Sequence, residues 1–121
     1  MVSFHDDELN ALCDDLCDPA KTAQASAALS DLVAAGGACS PLLELLMDRL
    51  DGKGREYHLG AGARKAMAKL LEEAARSRGA QLAPLLPRMV ALTARALGDG
   101  EVTVREAFAE TLAAVARHGA G

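Results

Sequence analysis

The amino-acid sequence predicts an all-α protein: a short α-solenoid of about three antiparallel helical hairpins, with six helices in a single domain over residues 1–121. The first observation is composition, because 50% of the residues are apolar but only 2% are aromatic. Alanine and leucine favour helices, whereas residues that favour strands are scarce. The second is an internal repeat: Val104–Leu112 resembles Ala63–Leu71 at an offset of 41 residues, and Lys21–Leu29 is a fainter copy. Repeats of roughly 40–47 residues are typical of solenoids built from helix pairs.

The third hairpin, predicted over residues 82–119, carries the clearest helical pattern. Apolar residues at helical spacing predict a helix from Pro84 to Leu97, which Gly98-Asp99-Gly100 ends. In the helix that follows, Glu101 and Arg105 have the i, i+4 spacing of a favourable ion pair. The first helix is expected to turn inward Leu85, Leu86, Met89, Leu92, Ala96 and Leu97. The second is expected to turn inward Val104, Ala107, Phe108, Thr111, Leu112 and Val115.

The second hairpin, predicted over residues 40–79, repeats this plan. Ser40-Pro41 has the form of an N-cap followed by a proline at the first helical position. A helix over residues 42–50 is followed by a connection over residues 51–62 that contains four glycines. In the partner helix the inward positions stand 41 residues before those of the third hairpin: Ala63, Ala66, Met67, Leu70, Leu71 and Ala74.

The first hairpin, predicted over residues 3–37, is the most divergent copy, as expected for a terminal repeat with one side facing water. Its first helix is expected to run from an N-cap at Ser3 to Cys17, and Asp18-Pro19 is expected to open the second. At the other end, nothing after His118 caps the third hairpin. Its outer face should therefore be partly apolar and exposed, because the chain is a fragment of a longer solenoid or because a partner covers that face.

The net charge of −4 is unevenly distributed, with −7 in residues 1–50 and +3 in residues 51–121. Such a chain is a poor candidate for sequence-independent nucleic-acid binding, which needs dense positive charge. The second part is compatible with docking on an acidic protein surface, or with ordinary solvated helix faces. The sequence contains no pattern of a secretory signal or a membrane span, and three cysteines indicate a reduced, cytoplasmic setting.

Two sequence blocks carry a resemblance to a known family. The main block runs from Leu70-Leu71-Glu72-Glu73 through Pro84 to Ala107, and a second stretch is Asp18-Pro19-Ala20-Lys21-Thr22-Ala23-Gln24-Ala25. They resemble the HEAT repeats of TOG-like domains and are most similar to the Tortifolia/Spiral group of plant microtubule-associated proteins. In that family the loops within each repeat form an edge that contacts tubulin. The resemblance implies tubulin-contacting roles for Lys21, Lys53, Arg55 and Arg105.

Each of these four residues also has a structural interpretation. Arg105 is in a position to pair with Asp99 or Asp51 inside the protein. Lys53 and Arg55 lie in a glycine-rich connection, where charge also serves solubility. Lys21 precedes a helix, where a cation opposes the helix dipole, and this is a faint indication of function.

Patterns of catalysis and of cofactor binding are absent from the sequence. Gly60 and Gly62 stand near Arg64-Lys65, but the glycine spacing and the final Ser or Thr of a phosphate-binding loop are missing. Cys13 and Cys17 are spaced to face one side of a helix, but the three histidines are scattered and complete no metal site. We therefore expect neither an enzyme, nor a metal, nor a cofactor.

The function expected from these observations is protein–protein interaction. The first hypothesis is a HEAT-like scaffold in the cytoplasm, associated with the cytoskeleton, that binds tubulin or microtubules along the edge of the intra-repeat loops. The alternative is a non-cytoskeletal adaptor that holds a peptide or a protein on its concave helix face. A third hypothesis, nucleic-acid processing, requires a basic groove with a carboxylate, and the charge count argues against it.

Overall fold

The computed structural model describes residues 6–35, 39–51 and 60–119, and these residues form helices joined by turns. The prediction of an all-α fold is confirmed: the described residues contain six α-helices and no strand. The α-helices are α1 (Asp6–Cys17), α2 (Thr22–Ala35), α3 (Cys39–Leu50), α4 (Ala61–Arg78), α5 (Leu86–Ala96) and α6 (Val102–Ala114). The expected N-cap at Ser3 lies outside the described residues.

Two short helical segments of other types adjoin these α-helices. A 3-10 helix over Gly79–Leu85 joins α4 to α5, and a π-helix over Val115–Gly119 extends α6. The predicted start of α5 at Pro84 is therefore wrong, since Pro84 lies in the 3-10 segment. Pro87, in the first turn of α5, occupies the place where proline is tolerated, because the N–H groups there have no partner within the helix.

The helices pack as three successive pairs that contact one another through equivalent members. Helix α1 packs on α2, α3 on α4, and α5 on α6. Between pairs, α4 packs against both α2 and α6, while α3 packs against both α1 and α5. Helix α4 therefore has a packed neighbour on each side, and its side chains make up much of the core.

The inward positions predicted from the repeat occupy the core almost throughout. In α4 and the end of the third hairpin, the equivalent positions are buried except for Ala66 and Leu112, which are partly buried. Met67, Leu71 and Phe108 are among the largest fully buried side chains. A shared set of buried positions at a constant offset means that both hairpins pack with the same helix face.

The third hairpin exposes three large apolar side chains, while the expectation of an apolar outer face stays a prediction. Val90, Leu97 and Val102 are 44%, 38% and 52% exposed, and they are the exposed large hydrophobic residues of the described ranges. The prediction that Leu97 faces inward is wrong, because α5 ends at Ala96 and Leu97 begins the turn that reverses the chain. None of the helices seen in the described ranges has both the length and the apolar character that a membrane crossing needs.

Candidate functional site: the turn edge and the helix face

The C-terminal ends of α1, α3 and α5 lie next to one another. Arg49, near the end of α3, places Nη1 3.9 Å from Sγ of Cys17 at the end of α1. Arg95, near the end of α5, forms an ion pair with Asp51, which follows α3. We call this region the turn edge and define it as residues 18–21, residue 51 and residues 97–101.

The first turn of the edge is ordered by its own polar groups. The main-chain N–H of Ala20 donates to Oδ1 of Asp18 at 2.9 Å. The hydroxyl of Thr22 lies 3.0 Å from the carbonyl oxygen of Leu16 and 2.8 Å from that of Asp18. Because these contacts form a turn, α2 begins at Thr22 and not at the expected Asp18-Pro19.

Asp99 ties the α5–α6 turn to the beginning of α4. Arg64 donates from Nε to Oδ2 of Asp99 at 2.8 Å and from Nη2 to Oδ1 at 3.1 Å. The main-chain N–H of Glu101 also donates to Oδ1, at 2.9 Å. Burial alone would raise the pKa of Asp99, but these donors and the nearby guanidinium of Arg105 hold that pKa below its ordinary value. The carboxylate therefore stays ionised and holds the turn in place.

A second cluster of charges joins α3 to α5. Nη2 of Arg88 lies 2.6 Å from Oδ1 of Asp48 and 2.9 Å from Oδ2 of Asp51, and Arg95 also pairs with Asp51. Burial opposes ionisation of Asp51, but the hydrogen bonds from the two arginines bring its pKa below the ordinary value. The hydrogen bonds that Arg88 donates to the carboxylates of Asp48 and Asp51 raise its own pKa. The cluster is thus a set of mutually stabilised charges between two hairpins.

The described site residues predicted from the sequence lie on the turn edge or next to it and have partners within the protein. Nζ of Lys21 is 3.7 Å from Oδ1 of Asp15, although the lysine side chain is 56% exposed. Nη1 of Arg105 donates to the main-chain carbonyl oxygen of Asp99 at 2.7 Å, in place of the expected ion pair with Glu101. Lys53 and Arg55 lie outside the described residues, so their predicted role stays a prediction.

Sequence analysis missed the arginines that join the hairpins. Arg88 and Asp48 are 40 residues apart, and Arg95 and Asp51 are 44 residues apart. Both separations are close to the repeat offset of 41 residues. Opposite charges at about one repeat length were therefore a usable signal, because α3 and α5, which stand about that far apart in the chain, pack against each other.

A cleft opens on the turn edge between the second and third hairpins. Its volume is about 190 Å³. Its apolar lining includes Leu50, Leu92 and Phe108, and its polar lining includes Arg64 and Asp99. The cleft is small for a folded partner, but its volume is enough for one side chain of a partner.

The helix face formed by α2, α4 and α6 carries two further grooves that share the exposed side of α4. The groove between α2 and α4 has a volume of about 290 Å³. The groove between α4 and α6 has a volume of about 220 Å³. Lys65 and Lys69 border both grooves. We call this surface the helix face.

The burial of Cys13 and the spacing of the other possible ligands are relevant to metal binding. Cys13 is fully buried, and burial raises the pKa of its thiol to about 11, so the thiol is neutral at pH 7. In the ranges that the structure describes, no three His, Cys, Asp or Glu side chains are grouped closely enough to hold a metal ion. His5 and His58 lie outside those ranges, so the absence of a metal site stays a prediction.

Comparison of this chain with protein-family models, curated proteins and solved structures gives no match. The likeness to TOG-like domains therefore remains a resemblance of sequence. What the chain does has to be argued from the geometry of the turn edge and the helix face.

Proposed function

We propose that this chain is a non-catalytic protein–protein interaction module, built as a short HEAT-like solenoid, and that it binds its partner on the helix face. The solenoid is supported by the order of packing, in which α4 lies between α2 and α6 while α3 lies between α1 and α5. It is supported further by inter-hairpin hydrogen bonds that join residues 32 to 44 apart, a range that includes the repeat offset. Repeat proteins of this kind bind through extended surfaces.

The observation that carries the choice of surface is the pair of grooves that meet at Lys65 and Lys69. Both side chains are exposed, and neither forms a hydrogen bond or an ion pair within the described part of the chain. The cations on the turn edge or next to it (Lys21, Arg64, Arg95 and Arg105) are, by contrast, bound to acidic side chains or to a carbonyl oxygen. A cation without an internal partner is more readily used by a ligand, because no existing interaction has to be broken.

The helix-face proposal is tested by affinity capture with matched charge reversals. We expect the wild-type chain and the variant Lys53→Glu/Arg55→Glu to retain the same defined protein partner. We expect Lys65→Glu/Lys69→Glu to lose this partner, because the two lysines are its proposed contacts. The two variants cause the same change of net charge, so a difference between them reports the location of the contact. Direct binding of the purified partner, measured by calorimetry, checks the result, and circular dichroism checks helicity. If Lys65→Glu/Lys69→Glu still binds the partner at full affinity, the proposal that the partner binds on the helix face is wrong.

A second candidate function is binding of tubulin or microtubules along the turn edge, as a cytoskeleton-associated protein in the cytoplasm. The cleft at the edge favours it, because Leu50, Leu92 and Phe108 offer an apolar floor beside the exposed Arg95. Lys21 is exposed on the first turn of the same edge. Lys53 and Arg55 belong to the connection that begins at Asp51.

The tubulin candidate predicts that Lys53→Glu/Arg55→Glu abolishes co-sedimentation with microtubules while helicity by circular dichroism stays unchanged. The reversal places carboxylates opposite an acidic surface, where like charges repel. Lys65→Glu/Lys69→Glu is the matched control and should sediment as the wild type does. If the wild-type chain stays in the supernatant, or if the edge variant still sediments, this candidate fails.

A further inference from the structure

Small residues line much of the groove between α2 and α4. Ser26 lines it from α2, while Gly62 and Ala66 line it from α4. A Cβ atom built at Gly62 meets no atom within 4 Å, so the entrance beside α4 is open. Leu70, which is only 2% exposed, forms an apolar floor. The groove can therefore admit a chain segment without displacing a side chain of the core.

The charges that border this groove are arranged to leave its two lysines available. Lys65 and Lys69 are separated by one helical turn and lie on the same side of α4. The one acidic residue of the groove lining is Glu73, and its Oε2 accepts a hydrogen bond of 2.5 Å from the hydroxyl of Ser30 on α2. Glu73 is thus held by the opposite wall of the groove and forms no ion pair with Lys69.

The groove on the other side of α4 has the opposite character. Glu106 and Glu110 line it from α6 and face the same two lysines, but no ion pair closes across it. A negatively charged ligand meets the two carboxylates of Glu106 and Glu110 on the α6 side, but on the α2 side it meets Ser26 and only one carboxylate, that of Glu73, so it is repelled less there. The lysines therefore favour an anionic ligand on the α2 side of α4.

We propose that the groove between α2 and α4 binds an acidic peptide segment of a partner protein, with carboxylates held by Lys65 and Lys69 and a small apolar side chain over Leu70. This inference rests on the proposed function, of which it specifies the partner chemistry. The expected partner segment carries two carboxylates spaced about as far apart as the two ammonium groups. Both contacts are exposed, so the binding is salt-dependent and of modest strength.

The test uses the full chain and fluorescein-labelled peptides in a polarisation assay. The first peptide alternates Glu and Ala, and the second alternates Gln and Ala. We expect the Glu peptide to bind at low salt and to weaken as salt is added, and the Gln peptide to bind at least about tenfold more weakly. Lys65→Glu/Lys69→Glu should lose binding of the Glu peptide by about tenfold or more, whereas Lys65→Arg/Lys69→Arg should retain it.

A control variant and further ligands distinguish failure of the acidic-peptide inference from failure of the proposed function. Arg117→Glu changes an exposed cation elsewhere and should leave the affinity for the Glu peptide within about twofold of the wild type. Equal binding of the Glu and Gln peptides, full binding by the Lys65→Glu/Lys69→Glu variant, or tighter binding of a single-stranded RNA oligonucleotide would each overturn the acidic-peptide inference. If affinity capture depends on Lys65 and Lys69 but no acidic peptide binds, the proposed function stands and this inference fails. If the capture is independent of both lysines, the proposed function fails as well.

Discussion

Asp99 illustrates how single residues organise this protein. Its carboxylate accepts hydrogen bonds from Nε and Nη2 of Arg64 and from the main-chain N–H of Glu101. Its carbonyl oxygen accepts a hydrogen bond from Nη1 of Arg105. The side chain of Asp99 is 15% exposed and that of Arg64 is 26% exposed, so the pair is partly shielded from water. One aspartate therefore fixes a turn, the start of α6 and the position of α4 together.

At this scale the stability of the protein should depend on pH through Asp99. The pKa of Asp99 is lower in the folded state than its ordinary value, so the folded state binds fewer protons. Its contribution to stability is present above the ordinary aspartate pKa of about 3.9 and is lost as pH falls through the folded value. Asp99→Asn should lower the free energy of unfolding at pH 7 by about 1–3 kcal/mol.

Urea denaturation at a series of pH values measures this effect. The gap between wild type and Asp99→Asn should narrow as pH falls below about 4, because the wild-type carboxyl group becomes protonated. Glu110→Gln, at an exposed position of α6, serves as the control and should lie within about 0.5 kcal/mol of wild type. A gap that stays constant down to pH 3 would show that ionisation of Asp99 does not stabilise the fold.

The α4–α6 pair is the most informative case among the elements. The hydroxyl of Thr111, which is 0% exposed, donates to the carbonyl oxygen of Ala68 in α4 at 2.7 Å and lies 2.9 Å from that of Ala107. The repeat placed Thr111 at an inward position, equivalent to Leu70 in α4. A polar residue is accepted in the core here because its hydroxyl is satisfied by the neighbouring helix.

Replacing Thr111 by valine should lower the free energy of unfolding by about 1 kcal/mol. Valine has nearly the shape of threonine. The carbonyl oxygen of Ala68 lies within α4, where the helix provides its own hydrogen bond, so little beyond the lost interhelical bond is expected. Thermal unfolding followed by circular dichroism provides the measurement. Thr103→Val, at an exposed position of the same helix, is the matched control and should change stability by less than about 0.5 kcal/mol. If both variants lose the same free energy of unfolding, the cause is the low helix propensity of valine and not the lost hydrogen bond between helices.

At the scale of the whole molecule, the packing is sequential along the chain. The first hairpin makes its main contacts with the second, and the second makes its main contacts with the third. Perturbations in the first and third hairpins are therefore separated by a complete helix pair. In a closed bundle, by contrast, the terminal helices would pack against each other and would share partners.

Double-mutant cycles distinguish these arrangements. Thr22→Val removes hydroxyl contacts in the first hairpin and should combine additively with Thr111→Val, within about 0.5 kcal/mol. Arg64→Ala and Asp99→Ala should instead be non-additive by about 0.5–3 kcal/mol, because each removes the same ion pair. Strong coupling between Thr22 and Thr111, measured from urea-unfolding free energies, would contradict sequential packing.

The sequence by itself determined the helical class, the number of α-helices and the inward faces of α4 and α6. Composition and the constant offset of 41 residues can be read from the sequence without knowing the packing. Together with the apolar spacing within each helix, they identify which side of that helix is apolar. The exceptions are at helix ends, such as Pro84 and Leu97, where the chain changes from a 3-10 segment to α-helix or reverses its direction. The geometry of a helix end depends on its neighbours as much as on its own residues.

Only the tertiary structure decided which charges find partners. Arg64, Arg88 and Arg95 are bound because stacking brings them against Asp48, Asp51 and Asp99, whereas Lys65 and Lys69 project between grooves whose walls hold no partner close enough for an ion pair. Both groups lie near the surface of similar helices, and spacing along one helix does not separate them. The difference is physical: an ion pair requires two side chains within about 4 Å, and the separation between side chains on different helices is set by packing.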